Sequence, residues 1–215
     1  PLTTQVHITP KMIEATDNHR LFRFTGPTGF PKEILIPASG IESVCRIPLT
    51  KVAVGEGWVH LRSGKTVISI RSSHEKYLEG MDNLLKVSGE SETVNLPRNL
   101  GEIIERAEVM REQSFDGRIG LRLGEDVLTI TSRKDNGWYR EKKRIAYKGR
   151  PFEFEINPEF LIEIFKQTHE VTLDCERMKL KIEVGEVQFL TALTVKMPTE
   201  AEKEKRVSYL RQNSK

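Results

Sequence analysis

Cysteine, aromatic residues and long apolar runs are all scarce in this sequence. Two cysteines in 215 residues cannot form the dense disulfide framework of a small secreted domain. Cys45 and Cys175 occupy equivalent-looking elements and read as small buried hydrophobes in a reducing compartment. No apolar run approaches the length needed to cross a bilayer, and the N-terminus lacks a signal-peptide pattern. A cytoplasmic protein without membrane contact is therefore expected. The net charge is only +3, so the whole molecule is no strong polycation, and any contact with nucleic acid must come from local placement of charge. His7, His19, His60, His74 and His169 show no metal-ligand spacing, and no metal is expected. What remains, 37% hydrophobic and 30% charged, suits one or two globular domains.

Residues 152–175 organise the chain. Phe152, Phe154 and Ile156 alternate with Glu153 and Glu155, the period of a half-buried strand. Asn157 can accept a bond from a free helical N–H, and Pro158 suits the first helical position, where its missing N–H costs nothing. Phe160, Leu161, Ile164 and Phe165 then share one helical face. Glu159, Glu163, Lys166 and Gln167 share the other, over a helix expected at 158–168. Val171, Leu173 and Cys175 resume alternation. Residues 32–47 show the same strand, proline and short helix around Pro37, and each unit is followed by three short alternating strands. Pro37 and Pro158 lie roughly 120 residues apart, a period that means one domain built twice.

Along the chain, QVHIT, MIEAT and RLFRF read as short strands. Residues 71–92 look like turn and linker, which places a domain boundary near residue 92. A second helix is expected at 97–113, with Leu100, Ile103, Ile104, Ala107 and Met110 on its apolar face. A hairpin follows over 117–130 and a strand over 138–147. The second copy then has two helices against antiparallel strands. The first copy lacks a counterpart of its opening strand and helix, so an α+β protein with an N-terminally incomplete first copy is expected.

At this point the residues resemble a known family. ATDNHRL, residues 15–21, is similar to the ATDGHRL turn in the middle domain of the bacterial sliding clamp, the beta subunit of DNA polymerase III. FEINPEFLIEIF resembles the strand, Asn and inner helix of that family's last domain. VQFLTALTV occupies the place of its C-terminal strand, and KYLEG near Tyr77 resembles the end of its middle domain. The resemblance implies a DNA-clamp fold, with residues 1–92 as most of the middle domain, 93–197 as the C-terminal domain and 198–215 as a tail beyond the usual end. It implies a non-catalytic processivity factor that tethers polymerase, clamp loader and repair proteins to duplex DNA as a ring-forming homo-oligomer. A divergent clamp-fold adaptor that binds proteins without encircling DNA is the alternative.

The resemblance also implies a pocket for partner peptides. Its turn side would be Thr16, Asn18, His19, Arg20 and Leu21. Its C-terminal side would be Phe189, Thr191, Ala192, Leu193 and Thr194, with Leu21 and Leu193 as apolar walls and His19 and Arg20 as donors. Asn18 stands where the family usually has Gly, and Asn tolerates a left-handed backbone better than most residues. Ala192 and Thr194 stand where Pro and often Arg are found. The tail is placed to lie near this pocket. Asp17 and His19 also admit an acid–base reading, against which stands Asp17 bonding backbone N–H groups in a tight turn.

DNA-facing candidates are Arg46, Lys51, Arg98, Arg106, Lys166, Lys142, Lys143 and Arg144. The expected helix faces are mixed in charge: Arg98, Glu102, Glu105 and Arg106 on one, Glu159, Glu163 and Lys166 on the other. The clearest basic run is residues 133–150, with Trp138, Tyr139 and Tyr147 interleaved. It reads either as a phosphate-contacting surface with stacking aromatics or as a solvated hairpin whose aromatics pack on the sheet.

Overall fold

Period-2 patterning dominates this chain, and strands dominate its structure. The computed structural model describes residues 2–111 and 117–195. The first copy runs β1 (Gln5–Thr9), β2 (Met12–Thr16), β3 (Arg20–Thr25) and β4 (Ile34–Pro37), then α1 (Ala38–Val44), then β5 (Lys51–Val54), β6 (Trp58–Ser63) and β7 (Thr66–Arg71). After α2 (Met81–Leu85) and β8 (Glu92–Asn95) comes α3 (Leu100–Val109). The second copy continues as β9 (Ile119–Gly124), β10 (Val127–Lys134), β11 (Gly137–Arg144), β12 (Phe152–Ile156), α4 (Pro158–Phe165), β13 (Glu170–Asp174), β14 (Lys179–Val184) and β15 (Val187–Ala192). The fold is α+β, and every strand pairing is antiparallel.

The same strand order recurs in the two halves. Four strands run β4-β1-β2-β3 in the first copy and β12-β9-β10-β11 in the second. Each set is followed by a helix and a meander, β5-β6-β7 or β13-β14-β15. The second meander gains β8 beside β13, and its other edge strand, β15, pairs with β3 to make one eight-stranded sheet.

The chain divides into two compact units. One holds the described residues of Pro1–Arg98 and Ile162–Ala192, the other those of Asn99–Leu161 and Leu193–Lys215. In the first, Ile8, Ile34, Ile36, Val44, Val59 and Leu61 form one buried cluster, and Leu21, Leu85 and Leu190 form another. In the second, α3 lies on β10 and β11. Leu100, Ile103, Ile104 and Ala107 are fully buried on its inner face, as are Leu123, Leu128 and Ile130 of the sheet. No helix among the described residues is long and apolar enough to cross a membrane.

Several expectations need correction. α3 is shorter than expected: it begins at Leu100 and ends at Val109, with Met110 in its C-cap; residues 112 and 113 lie outside the described residues, as does the tail at 198–215. α4 ends at Phe165, so Lys166 and Gln167 follow the helix as a turn. β11 stops at Arg144 because Asp126 draws the chain away: its carbonyl accepts from the Ile145 N–H and its carboxylate from the Tyr147 N–H. α2 and β8 were not expected at all. The cysteines are not core residues: Cys45 is exposed just past α1 and Cys175 is half-buried. Pro37 precedes the first helical residue of α1, whereas Pro158 is the first helical residue of α4. The two prolines mark the same junction one position apart.

Candidate functional site

The turn joining β2 to β3 is built around one carboxylate. Asp17 Oδ1 accepts from the N–H groups of His19 at 3.0 Å and Arg20 at 2.7 Å, and Oδ2 accepts from Arg20 Nε at 2.8 Å. Asn18, between them, has φ 73°, the left-handed region that Asn enters more readily than most residues. The Thr16 hydroxyl donates to the Arg20 carbonyl at 2.7 Å and accepts from the Asn18 N–H. Asp17 thus has the role of an Asx-type turn residue. Burial alone would raise its carboxyl pKa, but hydrogen bonds from the Arg20 guanidinium and the Arg20 and His19 amides outweigh burial and hold it low.

Register brings the second half of the expected pocket to this turn. β15 pairs with β3 so that Phe189 stands opposite Phe22, Leu190 opposite Leu21 and Thr191 opposite Arg20. The Ala192 N–H donates to the His19 carbonyl at 2.9 Å, tying the end of β15 to the turn. Thr16, Asn18, His19, Arg20, Leu21, Phe189, Thr191 and Ala192 are therefore gathered in one unit. Leu193 and Thr194 belong to the other unit, where Leu193 is buried and Thr194 exchanges two backbone hydrogen bonds with Glu155 of β12.

The gathered residues differ in what they can offer. Leu21 is 1% exposed, packed with Leu85 and Leu190, so it is core and not an accessible wall. Thr191 is fully buried. The Arg20 guanidinium is shared between Asp17 and Glu163 of α4, each at 2.7 Å, which leaves it a positioned charge rather than an idle donor. The side chains of Asn18, His19 and Ala192 are exposed, and Phe22 is 38% exposed beside half-buried Phe189. The accessible side chains are thus those of Asn18, His19, Ala192 and Phe22, with Phe189 half-buried opposite Phe22. Glu163, read from the sequence as a solvated helix residue, is the unforeseen member; no local pattern pairs it with Arg20.

The DNA-facing candidates separate by environment. Arg46, Lys51, Arg98 and Lys166 are exposed. Arg106 is not an idle cation: it forks onto Glu141 at 2.9 and 3.1 Å. The Tyr139 hydroxyl also donates to Glu141, and with Arg106 it pulls that carboxyl down to about 2. The run Lys142, Lys143, Arg144 is split by the pleat of β11. Lys143 turns toward Glu141 at 3.3 Å, while Lys142 and Arg144 are exposed on the opposite face.

No protein-family model matches this sequence, and no curated protein matches it at a significant level. Solved structures do. The DNA polymerase III subunit beta from Pseudomonas aeruginosa superimposes with a TM-score of 0.75 at 16% identity, covering 89% of this chain and 57% of that one. The beta subunit from DNA polymerase of Streptococcus pyogenes gives 0.74 at 20% identity, over 91% and 59%. A putative DNA polymerase III beta subunit from Eubacterium rectale gives 0.74 at 16%, over 90% and 57%. The chain has the fold of these sliding clamps and spans a little under three fifths of their length.

Proposed function

We propose that this chain acts as part of a sliding clamp, a non-catalytic protein that holds replication and repair proteins on duplex DNA by enclosing it. The observation that carries this reading is the β3–β15 pairing, which joins the four-stranded set of one repeat to the meander of the next. A module that hands its sheet to the following module is what a ring of repeats requires. Enclosure needs no tight grip, so weak, sequence-blind attraction from exposed Arg46, Lys51, Arg98 and Lys166 is sufficient. On this reading residues 1–92 and 93–197 are two modules of a homo-oligomeric ring formed by the full-length protein in the cytoplasm, without a cofactor.

Polymerase, clamp loader and other partners would dock short peptides at the surface between the 16–20 turn and the end of β15. Anisotropy of a labelled peptide carrying a polymerase's clamp-binding segment tests this. Saturable binding is expected, with at least about ten-fold loss in the His19→Glu, Ala192→Asp variant, the scale of 1.4 kcal/mol. Equal binding by both proteins would contradict this docking surface.

One observation favours the adaptor reading, in which the same fold binds proteins without encircling DNA. The exposed faces of α3 and α4 carry Glu102, Glu105, Glu159 and Glu163, and Arg106 is neutralised by Glu141. Indifference to DNA topology would favour it.

A further inference from the structure

The four-stranded sheet β12-β9-β10-β11 has one buried face and one solvated face. Leu121, Leu123, Leu128, Ile130, Phe154 and Ile156 point inward. The opposite face is sorted by charge. β11 is an edge strand whose alternate residues, Trp138, Arg140, Lys142 and Arg144, are exposed. Its sole acid, Glu141, is turned to the other side, where it holds Arg106. Across the sheet, Arg133 of β10 stands opposite Trp138, and exposed Arg122 of β9 stands opposite Thr129, which is itself opposite Lys142. The acids on this side are Asp135 in the hairpin tip and, on the far edge strand β12, Glu153 opposite Arg122 and Glu155 opposite Gly120. Among the described residues no ion pair joins Arg122, Arg133, Arg140, Lys142 or Arg144 to a carboxylate.

Trp138 heads this stripe. It is 68% exposed, with the Arg140 guanidinium 5.5 Å from its ring centroid. So large an apolar ring left in water forgoes hydrophobic burial, and no packing role among the described residues accounts for it. Same-face residues along a strand repeat every ~6.8 Å, a spacing comparable with that of successive phosphates along an extended nucleic-acid strand. A duplex keeps its bases stacked on one another, whereas a single strand can lay a base on an exposed indole.

We propose that this face binds single-stranded nucleic acid. Arg140, Lys142 and Arg144 track the phosphates, Arg122 and Arg133 flank them, and Trp138 stacks a base. The site lies on a sheet face and uses none of Arg46, Lys51, Arg98 or Lys166, and it does not rest on ring formation. The chain's other tryptophan, Trp58, is also exposed, so the test uses a Trp58→Phe background in which Trp138 is the fluorophore.

A mixed-sequence single-stranded oligonucleotide is expected to quench Trp138, and its duplex to quench far less at equal salt. Arg140→Glu with Lys142→Glu should weaken single-strand binding at least about ten-fold and lower the salt slope by roughly one per lost contact, with unchanged circular dichroism. Unchanged affinity in that folded variant would overturn the proposal. So would equal quenching by duplex, or equal affinity for polyglutamate of matched charge.

Discussion

Asn18 adopts φ 73° where most side chains are strained by their Cβ. Asn18→Val is expected to cost about 1–2 kcal/mol in urea denaturation, and Asn18→Gly a few tenths at most. This was readable in advance because a turn's needs are local. Leu21 was not readable, because its burial depends on Leu85 of α2, and α2 is only five residues long, too short for a helical period. Asp174 is the second instructive residue. It is fully buried, accepts from the Ser88 N–H and hydroxyl at 2.7 and 2.8 Å, and from the Arg177 N–H at 2.9 Å. Burial raises its pKa, but the Arg177 and Ser88 hydrogen bonds lower it further than that, below the ordinary 3.8. A depressed folded-state pKa contributes stability that is present above the unfolded value and lost as pH falls toward the folded one. Denaturation midpoints should therefore drop on acidification through 3.8 more in the natural protein than in Asp174→Asn. At neutral pH, Asp174→Ala should cost about 2–3 kcal/mol through stranded donors.

The helices give paired expectations. In α4, the Glu159 N–H donates to Asn157 Oδ1 at 2.9 Å, the cap implied by Asn-Pro before an apolar stripe. Asn157→Ala should cost about 1 kcal/mol. In α1, a Cβ on Gly40 would lie 2.6 Å from Ile70 Cγ2, whereas one on Gly101 of α3 would meet nothing within 4 Å. Gly101→Ala is expected to stabilise by about 0.5 kcal/mol. Gly40→Ala should destabilise by about 1 kcal/mol, because overpacking exceeds the gain in helix propensity. Thermal melts of the two variants should move in opposite directions. Strand positions were legible because QVHIT alternates and MIEAT does so from Ile13, and they match β1 and β2, although the buried residue of β2 is Glu14. Strand and helix ends were less so: β11 stops where Asp126, distant in sequence, takes over the backbone.

At the scale of the molecule, the duplication was legible because strand, proline, helix and meander recur in order, and the sheets repeat that order. The β3–β15 pairing was not, since nothing in either strand names its partner. The candidate surface was half legible: the turn chemistry could be read, but not that Arg20 is shared with Glu163 or that Thr191 is sealed. Charge was the least legible property, because a run such as Lys142, Lys143, Arg144 is divided by the pleat of its strand. Enclosure of DNA is the central claim, and retention of the full-length protein on DNA of different topology tests it most directly. After loading, protein should stay on closed circular DNA through a high-salt wash and leave when one cut linearises the circle. Retention that ignores the cut, or none on either form, would contradict it.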